Sequence, residues 1–258
     1  MNHKKTGPRM PLAGSGLTLR ASHPWIAAHL GKGKVRQLLS ADERAHLLNI
    51  ASLVRFKKRQ EIYRAGEPVE AIYNVVSGVV KSFSVDPDGG ERINTFLFAG
   101  DLLGLSEEGR YANSAEAITA VTAYRLPIPK LQRHLHREAE LGFHVICKLC
   151  QEIREAQRHA FLVSRREALP KIVMFLQMLE QLQASRGEPT NEIHLPMDRT
   201  EIGEYVGMSL GAVSRAFRKL AADAVIELRN RQHVKIRNRA AFDELAGMPG
   251  GLAEGRRR

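Results

Sequence analysis

The rhythm of apolar positions changes along the chain, and each rhythm predicts a different kind of element. Between Val54 and Leu126, short runs rich in β-branched and aromatic residues (Ile72–Val76, Val79–Val85, Arg92–Phe98 and Ala117–Leu126) are separated by turn sequences. These are Tyr63–Pro68, Ser77-Gly78, Asp86–Gly90 and Phe98–Asp101. Such runs between Gly, Pro and Asp predict strands, and short strands at regular intervals predict a small barrel or roll. From Pro129 the rhythm lengthens. Leu135, Ala139, Gly142, Ile146, Leu149, Ile153, Ala156, Ala160 and Val163 follow one another in alternating steps of four and three. That spacing predicts a helix with one apolar seam. The seam can pack on the roll of its own chain or on a second copy of itself, and the regular spacing with small residues favours the copy. Pro170 lacks a backbone donor and restricts Leu169, so the helix should break between residues 164 and 170. Ile172, Val173, Leu176, Leu179 and Leu182 predict another helix, and Ala184–Pro196 a polar linker.

Asp198–Arg237 reads as helix, tight turn, helix and hairpin. Asp198 and Thr200 can cap a first helix whose inner face is Ile202, Tyr205 and Val206, and Gly207 permits a left-handed turn over Met208. Ser209 can cap a second helix, with Leu210, Val213, Phe217 and Leu220 at helical spacing. Gly211, Ala212, Ser214, Arg215, Arg218 and Lys219 are left facing outward: short residues first, then cations. A helix laid into the major groove of DNA has this profile. At the other end of the chain, Ser40, Asp42 and Glu43 signal the start of a helix over Ala41–Ala51, preceded by a shorter one over Trp25–Leu30.

Charge sharpens this division. The 258 residues carry a net charge of +11. Residues 1–40 hold seven Lys/Arg and no acid, residues 199–258 twelve against seven, and the middle twenty against twenty-one. A neutral middle between basic ends suits a sensor or scaffold joined to a polyanion-binding module. Cys147 and Cys150 are too few for a disulfide framework. The chain shows no membrane-length apolar run and no signal-peptide core, so a cytoplasmic protein without membrane contact is expected. No P-loop, nucleophile elbow, H-E-x-x-H or dinucleotide fingerprint is present, so an enzyme is not expected.

Four stretches together carry a family resemblance: Gly66-Glu67, Ser77–Ser82 (SGVVKS), Gly100–Gly104 (GDLLG) and Gly203–Arg215. With the order of elements, they resemble the CRP/FNR transcription regulators over roughly residues 40–247, on the FNR/FixK side of that family. The resemblance implies an α+β fold: an N-terminal cyclic-nucleotide-binding-like β-roll, a long dimerisation helix and a C-terminal winged helix-turn-helix. The corresponding segments are a basic, partly disordered arm (1–40), the roll (41–128), the dimerisation helix (129–163), the winged domain (164–247) and a loose basic tail (248–258). It also implies a homodimer that binds double-stranded DNA at a palindrome of the TTGAT…ATCAA type and contacts RNA polymerase.

The departures from the family pattern are as informative. Leu105 follows Gly104 where the cyclic-AMP branch has a ribose-binding Glu, and Asn113 precedes Ser114 where that branch has Arg. A cyclic phosphate would lose its strongest partner. Residues 1–146 contain no Cys, so the family's iron–sulfur cluster cannot be built. No cofactor or metal is therefore expected. The alternative is a haem- or small-ligand-switched regulator, for which His134, His136, His144 and His159 offer axial ligands. Cys147, expected to face outward, and Cys150, on the flank of the seam, are a candidate redox pair, though packing is the simpler role. The family's E-x-x-S-R base-reading string becomes Gly211-Ala212-Val213-Ser214-Arg215. Gly211, Ser214 and Arg215 are the expected base-facing positions. Arg199, Ser209, Arg218, Arg229 and Arg231 are the expected phosphate contacts, and Ile146, Leu149, Ile153, Ala156 and Ala160 the centre of the seam.

Overall fold

Strand alternation places successive side chains on opposite faces, and one strand of the roll shows what that does here. A computed structural model describes residues 17–21, 36–106 and 108–247. The roll consists of β3 (Ser52–Phe56), β4 (Glu61–Tyr63), β5 (Ala71–Ser77), β6 (Val80–Val85), β7 (Glu91–Leu97), β8 (Leu102–Leu103), β9 (Ser114–Ala117) and β10 (Val121–Pro127). These form two antiparallel four-stranded sheets, ordered β3-β10-β5-β8 and β4-β9-β6-β7. Val80 and Leu97 point into the roll with Tyr63, Tyr73, Val75 and Tyr111. Phe83, Ile93, Phe96 and Phe98 lie instead in a second core shared with the C-terminal domain. The second sheet is thus buried on both faces. Gly78, in the β5–β6 turn, has a φ of +89°, and a Cβ there would lie 2.3 Å from the carbonyl oxygen of Ala120. Only glycine fits that approach.

Sequence and structure differ at several boundaries. The run Ala117–Leu126 is not one strand, because Ala117 ends β9 and β10 starts at Val121. The arm is not loose throughout. Arg20–Ala21 (β1) pairs with Arg36–Gln37 (β2), and Leu17 and Leu19 are buried beside Ile72, Leu126 and Leu141. The helix expected over Trp25–Leu30 and the tail 248–258 lie outside the described residues. Helix α1 (Ala41–Ile50) forms as expected, its Ser40 hydroxyl accepting from the Glu43 N–H and Glu43 Oε2 from the Ser40 N–H.

The long helix is two helices, α2 (Ile128–Arg137) and α3 (Ala139–Ser164), because Glu138 adopts an extended backbone (φ −122°, ψ 91°). Leu135 accordingly packs with α2 against the roll rather than extending the seam. On α3, Ile146, Leu149, Ile153, Ala156, Ala160 and Val163 are all exposed. Ile146 is 52% and Ile153 59% accessible. The inner face holds Leu141, Cys147, Lys148 and Leu162, all buried. Cys147 was expected to face outward and does the opposite: the seam takes the solvent side, and Cys147 turns under the helix.

The C-terminal domain contains α4 (Ala168–Ser185), β11 (Ile193–His194), α5 (Arg199–Val206), α6 (Leu210–Ala222), β12 (Ile226–Leu228), β13 (His233–Ile236) and α7 (Arg239–Ala246). The break before α4 falls where Pro170 predicts it. The polar linker instead contributes β11 to a sheet ordered β11-β13-β12, with Ile193 and Leu195 buried. Helix α7 has no counterpart in the sequence reading; the Asn238 side chain caps it by accepting from the Ala241 N–H. The Phe96 ring joins roll to reader, lying 5.0 Å from Tyr205 and 6.2 Å from Phe175. Replacing Phe96 by Ala should cost about 3–5 kcal/mol by opening a cavity between the domains. Urea denaturation followed by circular dichroism measures this; a change below about 1 kcal/mol would mean the shared core is not cooperative.

Candidate nucleic-acid interface

The helix-turn-helix is fixed by caps and one close approach. Asp198 Oδ1 accepts from the N–H groups of Thr200 and Glu201, both at 2.9 Å, while Glu201 Oε2 accepts from the Asp198 N–H at 2.8 Å. This reciprocal box starts α5. Gly207 ends it in the left-handed region (φ 68°, ψ 48°). The tightness of the turn rests on Gly203, where a Cβ would stand 2.5 Å from the Met208 carbonyl oxygen. Ser209 Oγ then accepts from the Ala212 N–H at 3.3 Å and starts α6.

Burial of Val213, Ala216, Phe217 and Leu220 sets the rotation of α6. Leu210 does not join them and is 51% exposed at the helix start. Gly211, Arg215, Arg218 and Lys219 face solvent, and Ser214 is half-buried. A Cβ at Gly211 would meet only the Arg215 Nη1, at 3.3 Å. Arg218 Nε donates to the Ser214 carbonyl at 3.4 Å, and Lys219 pairs with Asp223 at 2.7 Å.

The expected phosphate contacts fall into distinct environments. Arg231 is exposed at the tip between β12 and β13. Arg229 is held by Glu192 at 3.3 Å and Glu227 at 2.8 Å. Arg199 departs most from expectation. Its guanidinium lies 3.4 Å from the centre of the Phe217 ring, and burial lowers its pKa to about 10. It packs between the two helices of the motif, so its first role is to support α6 from beneath. Ser209 uses its hydroxyl as a helix cap.

The roll side of this domain carries further polar contacts that sequence reading missed. Arg59 of the roll reaches Asp198 at 3.1 Å and Glu201 at 3.3 Å, at the cap of α5. His159 of α3 stacks on Tyr205 with ring centres 4.1 Å apart, and its Nε2 donates to the Tyr205 carbonyl at 2.7 Å. Helix periodicity places His159 beside the seam, but nothing local in the sequence identifies its partner.

The remaining candidates have protein partners. His144 Nδ1 lies 3.2 Å from Glu43, His134 Nδ1 3.8 Å from Glu138, and His136 Nδ1 2.7 Å from the Gln132 carbonyl. Burial raises the Cys147 thiol pKa, which makes its reactive thiolate scarcer, and Cys150 is half-buried. Asn113 accepts from Asn94 Nδ2 at 2.9 Å, and Tyr63 stacks on Tyr111 at 3.8 Å inside the roll. Among the described residues, no helix is long and apolar enough to cross a membrane.

Comparison with known proteins places both halves. The cyclic nucleotide-binding domain family matches residues 53–138, and the Crp-like helix-turn-helix domain family matches residues 170–245. The transcriptional activator protein FnrA of Stutzerimonas stutzeri is 30% identical over 74% of this chain and 79% of its own. The nitrogen fixation regulation protein FixK of Bradyrhizobium diazoefficiens is 30% identical over 74% of this chain and 80% of its own. Among solved structures, FixK2 from Bradyrhizobium japonicum superposes with a TM-score of 0.70 at 28% identity, covering 76% of this chain and 97% of that one.

The His159 contact predicts a pH dependence. Burial holds its pKa below the ordinary value of 6.5, only partly offset by the bond to Tyr205. The unfolded chain therefore binds the proton more readily, and this contribution to stability is complete above 6.5 and lost as pH falls from there through the lowered value. Wild type should lose stability relative to His159→Gln between about pH 7 and pH 5, measured as the difference in urea midpoints. Parallel midpoints across that range would contradict a buried, neutral His159.

Proposed function

Because this chain belongs to the CRP/FNR family of transcription regulators, on its FNR/FixK side, we propose that it acts as a cytoplasmic homodimer reading a two-fold symmetric DNA site. The observation that carries this reading is the pairing of two unpartnered surfaces on one chain. The seam of α3 turns Ile146, Leu149, Ile153, Ala156 and Ala160 away from its own roll, while α6 turns Gly211, Arg215 and Arg218 to solvent. Joining two seams about a two-fold axis buries the apolar stripe and sets two copies of α6 to enter the major groove about one DNA turn apart. Arg215, with its planar fork, suits the O6 and N7 acceptors of guanine, and Ser214 a neighbouring base edge or phosphate. Arg218 and Arg231 supply phosphate contacts. Arg229 joins them once DNA competes for it with Glu192 and Glu227, and Ser209 contributes through the start of α6. Arg199 positions the recognition helix. RNA polymerase is the protein partner, met through outer surfaces of the roll and winged domain. The protein regulates and does not catalyse. A haem- or ligand-switched roll draws less support, because His134, His136, His144 and His159 all have protein partners.

Footprinting on genomic fragments and on TTGAT…ATCAA-type duplexes tests the proposal, and failure to protect any symmetric site would sink it. Arg215→Ala should remove about 1–3 kcal/mol of discrimination at a single base pair of each half-site. Arg231→Ala should instead weaken all sequences alike and reduce the slope of log K against log salt by about 1 per monomer. Titrations against a panel of single-base variants at several salt concentrations separate the two, and equal losses of discrimination would contradict the division.

A further inference from the structure

A chain of polar groups, fully buried at Asn74 and Lys148, runs from the N-terminal segment to the seam helix. Leu17 and Leu19 are buried against Ile72, Leu126, Leu131 and Leu141. Between them, the Thr18 N–H donates to Asn74 Oδ1 at 3.2 Å, and the Thr18 carbonyl accepts from Asn74 Nδ2 at 2.6 Å. Asn74 is fully buried on β5, and its Nδ2 also lies 3.4 Å from the Asp101 carbonyl. The Asp101 carboxylate is shared: Oδ2 accepts from the Phe98 N–H at 2.8 Å, and Oδ1 from Lys148 Nζ at 2.7 Å. Lys148, fully buried under α3, makes a second ion pair with Glu152 at 2.9 Å.

This arrangement does more than anchor a helix. Consecutive residues of an α-helix lie about 100° apart around its axis, so holding Lys148 inward fixes Leu149 on the flank and Ile146 and Ile153 outward. A buried ammonium deprived of its carboxylates regains water most cheaply by turning out. That turn would swing Ile146 and Leu149 away from the seam. Asn74 ties the Asp101 backbone, whose carbonyl the Val75 N–H also holds at 3.0 Å, to the segment before it: without Thr18, a fully buried amide loses an acceptor and a donor together.

We propose that residues 17–21 are a strap that, through Asn74 and Asp101, makes Lys148 the positioning residue for the dimer seam. The strap therefore controls DNA reading by controlling dimerisation. The proposal rests on α3 being the dimer seam.

The test compares the full chain with Thr18→Pro, which deletes the N–H that Asn74 accepts from, with Asp101→Ala, which removes the carboxylate that holds Lys148 inward, and with a chain lacking residues 1–21. Sedimentation equilibrium gives the dimer dissociation constant, fluorescence anisotropy on a symmetric duplex the DNA affinity, and urea denaturation the fold. Each variant should raise the dimer dissociation constant by about tenfold or more. At protein concentrations that keep the variants dimeric, affinity for DNA should match the full chain. Variants that lose stability while their dimer constant stays unchanged would overturn the strap, since a merely structural role predicts that result. If the truncated chain does not fold, Thr18→Pro decides by the same criterion. A full chain that is itself monomeric would remove the seam and the strap together, an outcome distinct from a dimeric full chain with unaltered variants.

Discussion

The sheet that carries β6 and β7 serves two cores at once, and the placement of the DNA reader depends on it. Leu97 fills the roll, while its neighbours Phe96 and Phe98 pack with α4 and α5 in the shared core. A roll facing water on this side would show polar residues at those positions. The reader rests on aromatic side chains of the roll, with Phe96 in direct contact with Tyr205. Tyr205 in turn touches His159 of α3. Roll, seam helix and first reader helix thus meet around one aromatic side chain. Arg59 adds a contact to the cap of α5, but it is half exposed and its ion pairs are correspondingly weak.

Charge is used in two ways that net charge alone does not separate. Lys148 lies wholly under α3, where burial alone would lower its pKa, but Asp101 and Glu152 raise it above the ordinary lysine value. That charge is structural. Arg199, over Phe217, is structural as well, through stacking. Arg215 and Arg231 are exposed on the reader, where phosphate and guanine are their natural partners. The wing is intermediate, because Glu227 takes up both Arg229 and Arg237. These two cations are thus already paired within the domain.

Sequence periodicity made the large elements legible. The strands between Val54 and Leu126, the seam residues from Ile146 to Val163 and the caps of α5 and α6 all follow from local spacing and turn chemistry. What escaped it depends on distant partners. Cys147 and Lys148 sit under α3 because the roll lies there, and an isolated helix gives no reason to bury a lysine. The break at Glu138 has no Gly or Pro to announce it. Leu17 and Leu19 fall in the stretch expected to be a basic, partly disordered arm, since their burial comes from Ile72, Leu126 and Leu141 far along the chain. Arg199 read as a surface cation because the ring beneath it, Phe217, belongs to the next helix. Helix α7 was legible in principle, from Asn238 as a cap and Gly247 as a left-handed stop.

Two glycines in the reader show how structure separates a requirement of the fold from a feature of the surface. At Gly203 a side chain would collide with the Met208 carbonyl, a backbone atom that cannot yield without opening the turn. The helix-turn-helix needs that glycine. At Gly211 an added Cβ would meet only the end of the flexible Arg215 side chain. Packing imposes nothing there, and glycine costs the helix roughly 0.5–1 kcal/mol relative to alanine. What Gly211 changes is the surface offered to DNA. With no carboxylate at that position, nothing from it accepts a hydrogen bond from a cytosine amine. The guanidinium of Arg215 lies over the first turn of α6, against Gly211. Under the proposed mode of binding, reading within each half-site would lean on Arg215 more heavily than in a recognition helix that carries a Glu four residues before its Arg.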